Sequence, residues 1–331
     1  MGLVSDYPLL LELLVLFLAA FGALFFFLQS ISPAPRPPTK NETSFVDCIT
    51  KEKTPFPSLL DESPAEVELS IVIPAYNESK RLPLMLAETF EYLQDRKKKT
   101  SSFTYEIIVV NDGSTDDTDA VVRSIAMKQK LSTIRVMNLE HNRGKGGAVT
   151  QGMMVARGQR LLFVDADGAT KFSDLDKLEA AMDRIVSKGQ AIVVGSRAHM
   201  VTSDAVVKRS FIRNFLMRGF HTLLFVLGIG TIKDTQCGFK LISRKAAQLI
   251  FPNMHVEGWI FDIELLLLGY HFGVPIQEVP VTWHEVDGSK VSLLKDSIKM
   301  LLDLLNIRLN YLLGVWQVNA SPKRLQRPKS D

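Results

Sequence analysis

Arg160-Leu161-Leu162-Phe163-Val164-Asp165-Ala166-Asp167 runs from an apolar stretch straight into two carboxylates spaced two residues apart. A short apolar run that ends in turn residues reads as a buried strand. Side chains alternate faces along a strand, so Asp165 and Asp167 point the same way and can share an oxygen-seeking divalent cation, Mg2+ or Mn2+. An isolated Asp-x-Asp is equally a solvated turn, and its surroundings decide between the two.

Upstream, β-like and helix-like runs alternate: Leu69–Ile73, a helix from about Leu82, Tyr105–Val110, a helix from about Thr115, Thr133–Leu139, a helix from about Lys145, then Arg160–Val164. Such alternation specifies βαβ units and a mainly parallel sheet in an α/β fold. Ligands of these sheets sit beyond the carboxyl ends of the strands. The unusual polar residues lie at those ends: Pro74-Ala75-Tyr76-Asn77-Glu78, Asn111-Asp112-Gly113-Ser114 and Asp165-Ala166-Asp167. Ser114, Thr115 and Asp116 are better placed than Asp112 to cap the following helix, which leaves Asp112 for a ligand. Gly144-Lys145-Gly146-Gly147 fails the Walker pattern, since Gly146 stands where Ser or Thr is needed, and Val149 occupies the third glycine of a dinucleotide fingerprint. What survives is a Gly-rich helix start with Lys145 suited to a diphosphate.

Composition narrows the class. The 331 residues are 46% hydrophobic with a net charge of +3, enough for a large core and too weakly basic to suggest a nucleic-acid surface. Cys48 and Cys237 fit no zinc spacing or disulfide framework, and no Ser-His-Asp ordering, His-Glu-x-x-His or Cys-x-x-Cys is present. Residues 9–28 are almost wholly apolar and match, at about 1.5 Å per residue, a hydrocarbon thickness of ~30 Å. A transmembrane helix is expected rather than a cleaved signal peptide, because no basic segment precedes the run. Asp6 precedes it and Arg36, Lys40, Lys51 and Lys53 follow, so the positive-inside rule puts residues 1–8 in the lumen and the rest in the cytosol. The sequons Asn41-Glu42-Thr43 and Asn77-Glu78-Ser79 are then inert.

Residues 29–66, rich in proline, are expected to form a semi-extended stalk before a catalytic domain at 67–290. The stretch 207–227 carries Lys208, Arg209, Arg213 and Arg218, which favours an interfacial or buried helix over a second span. Residues 291–317 read as an amphipathic helix, open to core packing or membrane-surface docking, and 318–331 as a basic tail.

Ile71-Val72-Ile73-Pro74-Ala75-Tyr76-Asn77-Glu78, Val109 to Asp116, Asn142 to Ala148 and Asp165 to Thr170 resemble, in order and spacing, the motifs of family 2 glycosyltransferases. Gly195-Ser196-Arg197, Asp234 to Lys240 and Trp259 to Glu264 resemble those of its polyprenyl-phosphate sugar synthases. The resemblance implies a GT-A nucleotide-sugar-binding fold, UDP-glucose as donor, dolichyl phosphate as acceptor, a divalent cation, inversion at the anomeric carbon, and a place in the endoplasmic reticulum membrane. It implies that Pro74, Tyr76, Glu78 and Asp112 contact the nucleoside, Asp165 and Asp167 the metal, and Arg197 a phosphate, while Lys290 closes over the donor. Ala169 stands where some relatives supply a Gln metal ligand, so Thr170, Gln236 or water is left to complete the shell. Asp262 is placed to orient a sugar hydroxyl, to cap its helix or to enter an ion pair. A mannosyl synthase using GDP-mannose and a non-catalytic nucleotide-binding scaffold are the alternatives.

Arg209 and Arg213, four apart on one helical face, are suited to a lipid phosphate. Arg213→Ala is therefore expected to raise the apparent KM for the lipid acceptor more than that for the nucleotide sugar; equal effects in steady-state assays would contradict an acceptor role.

Overall fold

The computed structural model describes residues 7–33, 36–61, 63–202, 232–286 and 293–320. The β/α order follows the alternation of the sequence: β3 (Val67–Ala75), α2 (Leu82–Lys99), β4 (Tyr105–Asn111), α3 (Thr118–Lys128), β5 (Ile134–Asn138), α4 (Lys145–Met154) and β6 (Gly158–Val164). They are preceded by α1 (Tyr7–Ile31) and the short strands β1 (Ser44–Val46) and β2 (Lys53–Pro55). After them come α5 (Leu175–Ile185), β7 (Ile192–Ser196), β8 (Phe239–Ser243), α6 (Arg244–Ile250), α7 (Phe261–His271), β9 (Ile276–Pro280) and α8 (Leu293–Leu312).

Seven strands form one sheet in the order β5-β4-β3-β6-β8-β7-β9. All neighbours are parallel except β8, which runs antiparallel to β6 and β7. The chain winds from β3 outward through β4 to β5, then crosses back through α4 to lay β6 on the other flank of β3. That reversal is a topological switch point, where a crevice opens past the strand ends. Ala75, Asn111 and Val164, the last residues of β3, β4 and β6, all border it.

Alternation along the strands builds a core on each face of the sheet. Leu69, Ile71 and Ile73 of β3, with Ile107 and Val109 of β4, pack under α2, α3 and α5. Val72, Ile108, Val110, Leu161 and Phe163 face the opposite way, against α4, α6, α7 and α8. With both faces covered, β4 is buried from Tyr105 to Asn111, which is why it reads as a continuous apolar run.

Among the described residues, α1 is the one helix long and apolar enough to cross a membrane. Its Leu and Phe side chains are largely exposed, but Leu28 is buried and Ser32 Oγ, just past its end, donates to Asn310 Oδ1 of α8 at 2.7 Å. α8 turns Leu304 and Ile307 into the core and leaves Leu302 and Leu312 exposed.

The expected stalk is corrected by the structure. Residues 36–61 pack onto the domain: β1 pairs with β2, the rings of Phe45 and Phe56 lie 4.9 Å apart, and Leu59 N–H donates to Met154 O at 2.7 Å. The prolines prevent a helix there, yet they leave Phe45, Phe56 and Leu59 free to be buried, and apolar burial at about 25 cal/mol per Å2 outweighs an extended tether. The stretch 207–227, Lys290 and the basic tail lie outside the described residues.

Ile71, fully buried on the central strand, supplies a direct check of this core. Ile71→Ala should cost about 2–5 kcal/mol in denaturant unfolding of the detergent-solubilised chain, and a loss below about 1 kcal/mol would contradict the packing.

Candidate active site

Asp165 sits at the tip of β6 because its backbone is still held by the sheet: its N–H donates to Gly238 O at 3.0 Å, at the head of β8. A Cβ on Gly238 would lie 1.9 Å from Asp165 Oδ2, so only glycine lets this backbone pass against the carboxylate. Asp165 Oδ1 meets Lys145 Nζ at 2.7 Å. Asp167, at the following turn, accepts the N–H of Ala169 on Oδ1 at 3.0 Å. Burial first, and then the charge of Asp165, lifts the Asp167 carboxyl above its ordinary value; the Ala169 N–H, Arg81 and Lys145 offset this only in part. Burial and a neighbouring carboxylate thus both disfavour a negative charge on Asp167.

Behind the pair lies a buried relay of charges. Lys145, at the first position of α4, loses charge stability by burial, but Asp165, Asp262 and Asp167 outweigh that and raise its pKa. Asp262, in the first turn of α7, is almost wholly buried and pairs with Lys240 of β8 at 2.6 Å. Of the three roles open to Asp262 in the sequence, the structure shows the ion pair. Both ammonium groups stand over the Phe163 ring, Lys145 at 5.5 Å and Lys240 at 5.4 Å from its centroid. Lys145 also lies 6.0 Å from the ring of Trp259, which is 37% exposed and borders the cleft.

The tips of β3 and β4 are laced together. Asn77, at φ +53°, accepts the Thr115 N–H on its side chain at 2.8 Å, and Glu78 N–H donates to Thr118 Oγ1 at 2.8 Å. The Glu78 carboxylate is gripped by Arg81, whose Nε donates to Oε2 at 2.7 Å. Pro74 is half-buried and Tyr76 exposed at the crevice edge. Asp112 is spent differently from the expectation. Its two oxygens accept the backbone N–H groups of Arg143 (2.7 Å) and Gly144 (2.9 Å), so it clamps the Gly-rich loop. Burial pushes its carboxyl up to about 6 against the lowering effect of those two bonds.

The glycines of that loop also have an internal use. Gly144 takes φ +85°, and a Cβ on Gly146 would lie 2.5 Å from Cβ of Phe261. Missing side chains here let α4 dock on α7, which places Lys145 beside Asp165.

Arg197, past the end of β7, donates from Nε to Asp234 Oδ2 at 2.7 Å and from Nη2 to Oδ1 at 2.8 Å. Although burial alone would lower the guanidinium pKa, the Asp234 carboxylate raises it overall. Gln236 is half-buried in the turn before β8. Arg213 and Lys290 lie outside the described residues. Burial drives the Cys237 thiol up to about 12, which removes it as a nucleophile.

Asp165, Asp167, Lys145, Asp262 and Arg197 therefore belong to one neighbourhood, bordered by Pro74, Tyr76, Glu78 and Asp112. Sequence reasoning gave no role to Lys240, Arg81 or Asp234, although Asp234 and Lys240 bound a stretch it singled out. A lysine inside the apolar run Phe239–Ile242 is a readable signal, since Lys is almost never fully buried unless paired. Arg81, three residues after Glu78, is another, whereas the pairing of Asp234 with Arg197 leaves no local signal. Among the described residues no three His, Cys, Asp or Glu side chains gather around one point. Two carboxylates fit Mg2+ nonetheless, because it keeps waters and is commonly bound by one or two carboxylates together with substrate phosphates.

The glycosyl transferase family 2 model matches residues 70–251. A dolichyl-phosphate beta-glucosyltransferase of Dictyostelium discoideum is 47% identical over 85% of this chain and 86% of its own. That of Saccharomyces cerevisiae is 47% identical over 90% and 92%, and that of Homo sapiens 43% identical over 96% and 99%. A solved mycobacterial protein overlays with a TM-score of 0.51 at 19% identity, covering 80% of this chain and 83% of that one, which supports the GT-A fold alone.

Gly238→Ala tests the close approach. It should abolish metal-dependent UDP binding in calorimetry while circular dichroism keeps its native form; full binding would mean that Asp165 tolerates displacement.

Proposed function

The chain belongs to glycosyl transferase family 2 and, within it, to the dolichyl-phosphate beta-glucosyltransferases, and on that premise we propose that it transfers glucose from UDP-glucose to dolichyl phosphate with inversion. The product is a lipid-linked glucose donor for N-glycan precursor assembly, made at the cytosolic face of the endoplasmic reticulum membrane. The observation that carries the reading is the Asp165–Asp167 pair at the switch point, with Lys145 2.7 Å from Asp165.

The chemistry asks little of a general base. The second ionisation of a phosphomonoester lies near pH ~6, so the acceptor is largely a dianion at neutral pH. Its oxygen attacks C1 of glucose from the face opposite the diphosphate; the C1–O bond breaks and its electron pair leaves with UDP. Repulsion between two anions is the obstacle, and cationic side chains are the remedy. Bound Mg2+ or Mn2+, held by Asp165 and Asp167, would supply charge neutralisation of the diphosphate. Lys145 adds a fixed positive charge at the start of α4, where the helix N-terminus also favours anions. Arg197, held by Asp234 and close enough to Asp165 to feel its charge, is assigned to a phosphate, and Arg213 to the acceptor phosphate. Asp262, expected to orient a sugar hydroxyl, is instead buried against Lys240, where its charge also favours the ammonium of Lys145. Pro74, Tyr76, Glu78 and Asp112 border the nucleoside, with Asp112 acting through the loop it clamps; Lys290 and Gln236 are assigned to the donor.

Membrane placement rests on α1, long and apolar enough to span, and on the outward Leu302 and Leu312 of α8, to which the end of α1 is tied. Cytosolic orientation rests on the positive-inside pattern, with Asp6 before the span and Arg36, Lys40, Lys51 and Lys53 after it.

Radiolabelled UDP-glucose and GDP-mannose, offered to the detergent-solubilised chain with short-chain dolichyl phosphate and Mg2+ or Mn2+, should label the lipid from UDP-glucose alone, with chelator stopping the reaction. Preference for GDP-mannose, or UDP binding with no labelled lipid, would contradict the proposal.

A further inference from the structure

The segment that links the membrane helix to the sheet does more than connect them. Glu42 is 2% exposed, and its carboxylate accepts three donors: Thr39 N–H at 2.9 Å, Glu140 N–H at 3.0 Å and Arg143 Nη2 at 2.6 Å. Arg143 also donates from Nη1 to Arg36 O at 2.6 Å and from Nη2 to Pro37 O at 3.0 Å. Its side chain is thus committed to residues 36–42, while its own N–H and that of Gly144 are committed to Asp112 at the tip of β4. Two residues on from Arg143 is Lys145, whose ammonium touches Asp165. A third side is closed by Glu257: its carbonyl accepts Gly147 N–H at 3.1 Å, and its carboxylate accepts Arg36 Nε at 2.7 Å. Residues 36–42 therefore bridge the loop before α4 and the loop that carries Trp259, the two walls on either side of Lys145.

We propose that residues 36–42 are a positioning element of the donor site, in which Glu42, through Arg143, sets the Gly-rich loop and Lys145 for the nucleotide diphosphate. The element follows α1 within a few residues, so the membrane tether and the nucleotide site share one piece of chain. This rests on the donor reading above. The cost of disturbing it falls on a specific step. Loss of the Glu42 charge leaves the buried Arg143 guanidinium with the carbonyls of Arg36 and Pro37 and only the more distant Glu257 carboxylate, 3.8 Å away, so the loop it steers loses one of its three fixed sides. Among the described residues, the partners in this network are residues 36–42, Asp112, Glu140, Glu257 and the loop at 143–147.

Full-length Glu42→Gln and Arg36→Gln, in detergent, test this with UDP titrations in the presence of Mn2+ and with steady-state kinetics, each at a temperature well below the variant's Tm. Glu42→Gln should weaken UDP binding and raise the KM for UDP-glucose about tenfold, and Arg36→Gln, in a more exposed pair, about two- to threefold, with the KM for dolichyl phosphate unchanged. If both variants lower Tm but bind UDP as the wild type does, the segment is structural and the proposal falls. Equal rises in both KM values would also overturn it. Should Glu42→Gln fail to fold, Arg36→Gln alone decides by the same readouts. A wild-type chain that captures no UDP removes the donor reading, and the positioning role with it.

Discussion

The contact between Asp165 and Lys145 is the constraint on which the site depends, because it joins two crossovers of the chain that are otherwise separate. Asp165 arrives on β6, Lys145 on α4, and each is held from behind: Asp165 by the Gly238 backbone, Lys145 by the docking of α4 on α7. Lys145 pairs with Asp165 and Lys240 with Asp262, while Arg81 pairs with Glu78. Removing one member of a buried pair typically costs about 3–5 kcal/mol, since it strands the partner's charge. Among the described residues, Asp167 pairs with none of these cations, and burial first, then the charge of Asp165, raises its proton affinity.

Close approach is the second theme. Gly146 and Gly238 stand where any side chain would strike Phe261 or Asp165, so what reads as a phosphate loop is in large part a packing device. The same economy governs Asp112, whose oxygens are used to fix the loop rather than left open. The proposed donor would thus meet a loop and a lysine whose positions are fixed in advance by the protein, which is how enzymes lower the reorganisation required in the transition state.

Much of this was legible in the chain itself. The strand tips ending in Asn77-Glu78, Asn111-Asp112 and Asp165-Ala166-Asp167 follow from period and turn chemistry, both local properties. The partners of Lys240 and Arg197 were not legible, because Asp262 and Asp234 meet them only through the sheet order. The segment 36–61 was misread for a related reason: proline content speaks to what a stretch cannot form and says nothing about the surface that buries Phe45, Phe56 and Leu59. Whether Asp112 would face a ligand or the protein depended on where the Arg143 and Gly144 N–H groups came to lie, which no spacing encodes.

The central claim is that Asp165 and Asp167 recruit a cation that neutralises a diphosphate. Calorimetric titration of UDP into the purified chain, with and without Mg2+ or Mn2+, tests it most directly. The account predicts that the metal strengthens UDP capture by wild type and leaves that of Asp167→Ala unchanged. Metal-independent capture by wild type, or an equal gain in the variant, would contradict it.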